Sequence, residues 1–86
     1  MARPGWEEKG KSVIEKVLKL ELELSPRDFI IEKAAEFDER LSIFTKDGRP
    51  LASVSRNSIE AYLKATTRAA RAAAVKRITK EIEASM

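Results

Sequence analysis

Three features of this 86-residue chain predict an α+β domain, with a three-stranded antiparallel sheet, two helices on one of its faces and the order β-α-β-β-α. The stretch Leu18-Lys19-Leu20-Glu21-Leu22-Glu23-Leu24 alternates apolar and polar residues without a fault, the period of a strand with one face buried and one wet. Asp47-Gly48 lies between two short β-compatible runs, a strong hairpin signal. Ser25-Pro26 and Asn57 each stand at the head of an apolar stretch of helical period, as helix starts do. Strands with helices segregated to one face bury both apolar sets economically.

Taken in order, residues 1–12 contain Pro4, Gly5 and Gly10 among charges and are expected to be a flexible lead-in to a single domain over residues 13–86. Trp6 within that lead-in either folds back onto the domain surface or docks on a partner. The first strand is assigned to 18–24 on its period, although Leu and Glu favour helices by intrinsic propensity. Ser25 as N-cap, Pro26 at the first helical position and Asp28 beside the free amides then predict a helix from Pro26 to about Phe37. Phe29, Ile30, Ala34 and Phe37, with Ile31 and Ala35, supply its apolar face. Strands two and three are predicted at Leu41–Thr45 and Leu51–Ser55, with Pro50 at a strand start or edge because it has no N–H to donate. Asn57 as N-cap with Glu60 three residues later opens a second helix that nothing in the sequence breaks until about Ala84.

The faces of that long helix suggest where contacts form. At 100° per residue, Ile59, Leu63, Thr66, Ala70, Ala73 and Ala74 share one face, flanked by Tyr62 and Ala69, and are expected on the sheet. The alanines suit close packing and pure helix propensity equally well. Beyond Val75 that face fails, because Arg77 and Glu81 occupy its angles. Val75, Ile78 and Ile82 fall instead on the outward side, so they are expected to form an interface with a second copy or another subunit. Lys64, Arg68 and Arg71, at i, i+4 and i+7, form a basic stripe that suits a phosphate backbone or another partner. The same stripe would equally serve to solubilise an exposed helix.

Composition narrows the function classes. At this length about 60% of the unfolded chain's surface can be buried, which leaves little interior for a deep catalytic pocket. The chain has no Cys and no His, so thiolate and imidazole chemistry and the usual zinc ligands are missing. No phosphate loop, dinucleotide fingerprint or carboxylate cluster of metal-binding spacing is present. Hence no catalytic residue, metal site or cofactor is assigned. No segment approaches the roughly 18 apolar residues of a membrane span, and the start lacks a secretory run, so a cytoplasmic, soluble protein is expected. Net charge is +3, but residues 56–80 hold seven basic residues against one acid, a balance of +6, while the rest hold ten against thirteen, or −3. A basic element on a slightly acidic body points to an anionic partner.

The pattern of Leu18–Leu24, then Ser25-Pro26-Arg27-Asp28, then the Asp47-Gly48 hairpin and a helix with Ile59, Leu63, Arg68 and Arg71 resembles the small dimerisation subunit of the KEOPS tRNA-modification complex, the family that includes LAGE-type proteins. The similarity runs over roughly Val17 to Ala74. The family's Asn-Ser-Tyr-Leu-Arg-Trp-like run matches Lys64-Ala65-Thr66-Thr67-Arg68-Ala69 here, of which only the arginine agrees. The resemblance implies a non-catalytic scaffold subunit that forms a homodimer or a heterodimer with a related small subunit. It also implies docking on the threonylcarbamoyl-transferase subunit and assistance to tRNA binding, with Arg68 and Arg71 as partner or tRNA contacts. The alternative from the residues alone is an independent basic nucleic-acid-binding module. A small enzyme is the weakest reading.

Overall fold

The computed structural model describes residues 5–35 and 39–86. Its first element is a helix, α1 (Trp6–Leu20). Gly10, Val13, Ile14, Val17 and Leu18 are its buried residues, a spacing of i, i+3, i+4, i+7 and i+8 that forms one helical stripe. This overturns both the lead-in, since residues 6–12 belong to α1, and the strand at Leu18–Leu24. Four side chains and a glycine sunk by a 3.6-residue period outweigh an alternation built from Leu and Glu, both good helix formers. Leu18 is buried in the helix, whereas Leu20 is 71% exposed. Leu22 and Leu24 follow in a turn where the Leu22 and Leu24 amides bond to the carbonyls of Val17 and Leu18 and Glu23 adopts a left-handed φ of 54°.

Pro26–Asp28 forms a single 3-10 turn rather than the start of a long helix. The chain then extends at once into β1 (Phe29–Glu32), because Phe-Ile-Ile is a β-favouring run. Phe37, assigned to the same helix by sequence, lies outside the described residues. β2 (Arg40–Thr45) and β3 (Pro50–Ser55) form the expected hairpin. Gly48 takes φ +88° at its turn, and the Thr45 N–H donates to the Arg49 carbonyl at 2.9 Å. Pro50 opens β3, where a missing N–H costs least. The sheet is antiparallel in the order β1-β2-β3. Ile31 pairs with Ile43 and Ile43 with Ala52, and the ladder shifts register between Ile43 and Phe44.

β3 runs straight into α2 (Arg56–Lys64), whose N-cap is Ser55: its side chain accepts from the Ser58 N–H at 3.3 Å. Asn57, the cap expected from sequence, is an exposed residue of the first turn. The helix ends at Lys64, Ala65 turns to extended backbone, and Thr67 caps α3 (Arg68–Ser85) by accepting from the Ala70 N–H at 3.1 Å. The single long helix is therefore two helices that pack on each other.

The α+β class, the three-stranded antiparallel sheet and the helical cover on one face are as expected, with the first helix and first strand in exchanged order. One core unites the layers. It joins Val13, Ile14, Val17 and Leu18 of α1, Ile31, Leu41, Ile43, Ala52 and Val54 of the sheet, Ile59 of α2, and Ile78 and Ile82 of α3. The break at residues 65–67 rotates the later residues, so Ala74, Ile78 and Ile82 face inward while Leu63 is 40% exposed and Thr66, Ala70 and Ala73 are exposed. Ile78 and Ile82 are consequently not the outward patch expected from sequence, and Val75 alone of the three stays partly open. Ile78 and Ile82 are 0% exposed, and Val75 packs half-buried against the same core.

α1 sits close to this core through Gly10. A Cβ there would come within 2.7 Å of Leu41 Cδ1, 2.8 Å of Ile59 Cδ1 and 3.1 Å of Ile59 Cγ2. A branched side chain at that point overpacks the contact, so Gly10→Val is expected to lower stability by about 1–3 kcal/mol in urea denaturation. Ile78→Ala opens a cavity and should cost about 2–5 kcal/mol. Light-scattering mass should stay unchanged in the Ile78 variant, since the residue serves the chain's own interior.

Candidate functional site

α3 is held to the body by a polar cluster as well as by its isoleucines. The Glu81 carboxylate accepts from the Ser58 hydroxyl and from the Ser55 N–H at 3.3 Å, and lies 3.5 Å from Arg40. Ser55 and Ser58 hydroxyls are 3.0 Å apart, and Arg40 donates to Ser53 at 3.0 Å. Ser58 is fully buried and needs such partners. This cluster fixes the azimuth of α3 relative to α2, and so decides which flank of α3 turns outward.

A second cluster ties the beginning of α1 to the beginning of α2. Arg56 bridges Glu39 at 3.0 Å and Glu60 at 2.9 Å, with its guanidinium 5.2 Å from the centre of the Trp6 ring, within cation–π range. The hydrogen bond from Arg56 to Glu39 is the largest influence on this arginine and raises its pKa above the ordinary value. Of the two readings of Trp6, folding back onto the domain is the one observed. Lys33 adds a 2.8 Å pair to Glu7 of α1.

The outward flank of α3 forms one side of an open groove. Arg68, Arg71, Lys76 and Lys80 line it, together with Tyr62 of α2 and Glu21 from the turn after α1. Val75 and Thr79 contribute to its lining, and the Thr79 hydroxyl donates to the Val75 carbonyl at 2.8 Å. From Arg68 to Lys80 the helix advances about 18 Å at ~1.5 Å per residue. The ion pairs among the described residues use Lys33, Arg40, Arg49, Arg56 and Lys64, so the four groove cations form none of them. Ala72 and Ala73 also line the groove, and their small size allows a ligand backbone to approach the helix closely. Glu83 lies along the same lining.

The basic stripe read from sequence is thus only partly assembled. Arg68 and Arg71 share the groove, but Lys64 ends α2 on the other side of the break and pairs with Glu60 at 3.5 Å. Lys76, Lys80 and Tyr62 were not singled out as contacts by sequence. The row Arg68, Ala72, Lys76, Lys80 at successive i+4 steps carried that signal, once α3 was phased from Thr67 instead of from Asn57. Among the described residues no group of three His, Cys, Asp or Glu side chains could hold a metal ion. No described helix is long and apolar enough to cross a membrane.

No protein-family model matches the chain, and no curated protein or solved structure matches it. Two elements that carry the resemblance to the KEOPS dimerisation subunit take other forms here. Leu18–Leu24 spans the end of α1 and a turn, and Ser25-Pro26-Arg27-Asp28 leads through a 3-10 turn into a strand.

Because Ser58 carries the direct link between α2 and Glu81, Ser58→Ala strips a partner from a half-buried carboxylate. A loss of about 1–3 kcal/mol is expected in chemical denaturation, with the loss much smaller when Glu81 is already replaced by Gln. Equal losses in both backgrounds would dissolve the proposed coupling.

Proposed function

We propose that this chain is a non-catalytic binding module that engages the phosphate backbone of nucleic acid through the groove of α3. The observation that carries this reading is that Arg68, Arg71, Lys76 and Lys80 all line one groove and form no ion pair among the described residues. Cations that form no ion pair among the described residues keep their attraction for an external polyanion, and each phosphate neutralised releases counterions. The uneven charge along the sequence supports the same conclusion: residues 56–80 are strongly basic and the rest is slightly acidic. A cysteine-free sequence and such a ligand support a cytoplasmic setting.

The second reading is a scaffold subunit of a tRNA threonylcarbamoyladenosine-forming complex of KEOPS type. It would dimerise with itself or a related small subunit, dock on the transferase subunit and assist tRNA binding. The sheet face opposite the helices favours it, because Ile30, which is 41% exposed, pairs with Phe44 there. That pair offers an apolar spot that a protein would cover. Both readings use Arg68 and Arg71.

Fluorescence anisotropy with labelled tRNA, combined with light-scattering mass, tests the proposal. Arg68→Glu with Arg71→Glu should weaken binding about tenfold or more and flatten the salt dependence of affinity by roughly half, since two of four cations are lost. The fold should be intact by circular dichroism. Unchanged affinity in the double variant would remove the groove as the site. A stable dimer with feeble tRNA binding would favour the scaffold reading.

A further inference from the structure

By sequence, residues 57–84 form one helix, yet the structure divides them at residues 65–67. Ala65 keeps a helical φ of −65° and departs only in ψ, at 125°. Thr67 is extended, with φ −121° and ψ 158°, and its side chain caps the new helix. No glycine or proline enforces the bend, so helical values through residues 65–67 would merge α2 and α3. Merging would also supply backbone partners to the last carbonyls of α2 and the first amides of α3, which separate helix ends leave without intrahelical ones.

The packing puts little in the way of that change. Residues 66–73 are exposed on every side, so the start of α3 buries no side chain. Attachment begins at Ala74 and continues through Ile78, Glu81 and Ile82, which meet the sheet and the other helices. All of these are contacts between α3 and the remainder of the chain, so the body of a second copy offers each of them again. A merged helix cannot satisfy them within one copy. It would carry Ile78 about 28 Å beyond Ile59 along the axis, at ~1.5 Å per residue, whereas both now lie in one core.

We infer that α3 is exchanged between two copies of this chain: the hinge at residues 65–67 straightens, α2 and α3 become one helix, and each copy's α3 seats in the body of the other. Exchange reproduces the contacts that hold α3 in the closed monomer, including those of the Glu81 carboxylate with Ser58 and Arg40. The new backbone bonds at the hinge favour the dimer, and lost translational freedom opposes it. The monomer therefore prevails in dilute solution, and the dimer grows with concentration. Exchange also completes the α3 groove from two copies, with Lys76 and Lys80 of one beside Tyr62 and Glu21 of the other. This arrangement goes beyond the nucleic-acid reading and does not rest on it.

The test refolds the full chain from urea at low and at high chain concentration and follows light-scattering mass. Wild type should give monomer at low concentration and a dimer fraction at high. Thr67→Ala removes the cap of the closed hinge and improves helix propensity in the merged one. With two hinges per dimer, it should raise the association constant about tenfold or more. Arg68→Pro works in the opposite sense. Proline is favoured at the first helical position after an extended residue such as Thr67, but inside a merged helix it clashes with the carbonyl of residue 64. This variant should keep the monomer's thermal melt and lose the dimer. In a dimer made from one isotope-labelled and one unlabelled copy, filtered NMR should place the Ile78 and Ile82 methyls against the core of the other copy. Wild-type and Thr67→Ala chains that both stay monomeric at every concentration would overturn the inference. So would an Arg68→Pro chain that dimerises as readily as wild type, or a dimer whose Ile78 and Ile82 methyls contact only their own copy's core.

Discussion

The break at Ala65–Thr67 is the constraint on which the rest of the structure depends. Had α2 continued, the apolar residues beyond Val75 would have fallen on its outer side. Instead Ala65 leaves the helical region, and the Thr67 side chain satisfies the Ala70 amide as a new helix starts. Capping of this kind stabilises a helix start by about 1 kcal/mol, which helps a second nucleus form within three residues of the first helix's end. The turn lets α3 fold back on α2 and lower Ile78 and Ile82 into a core that a chain of this size could not complete otherwise.

Two polar clusters convert that packing into a defined orientation. Isoleucines alone tolerate some rotation, since apolar burial is non-directional. The Glu81 carboxylate does not, because it must meet the Ser58 hydroxyl, the Ser55 amide and Arg40 together. At the start of α1 and α2, Arg56 performs a similar service by joining Trp6, Glu39 and Glu60. The first cluster turns Ala74, Ile78 and Ile82 inward and leaves Lys76 and Lys80 outward. The second secures α1, whose following turn supplies Glu21 to the groove. Stability and the candidate site therefore share one cause, the azimuth of α3.

The groove itself has few specific features, and that restraint is informative. Long cationic side chains, small alanines and a single aromatic residue suit a ligand whose recognition lies in repeated charge. The sheet's opposite face retains Ile30 and Phe44 side by side, so the two sides of the molecule differ in chemistry. One side is lined by cations, while the other carries a small apolar spot.

Much of this was determined by the sequence alone. The Asp47-Gly48 hairpin, Pro50 at a strand start, the α+β class and the concentration of positive charge in residues 56–80 all depend on local rules: turn geometry, a missing amide hydrogen and simple charge. Arg68 and Arg71 were legible for the same reason. Tertiary structure decided the rest wherever two local patterns competed. Leu18–Leu24 satisfies a strand period, but Gly10, Val13, Ile14, Val17 and Leu18 together bury one helical stripe against Leu41 and Ile59, a gain visible only once the core exists. Phe29-Ile30-Ile31 could follow Pro26 as a helix, yet pairing with β2 gives its amides and its apolar side chains partners at once. Thr66-Thr67 can cap or continue a helix equally well in isolation. Only the burial of Ile78 and Ile82 selects the cap, and with it the groove that Lys76 and Lys80 line together with the two arginines, because the energy of a packed interior depends on residues far apart in the chain.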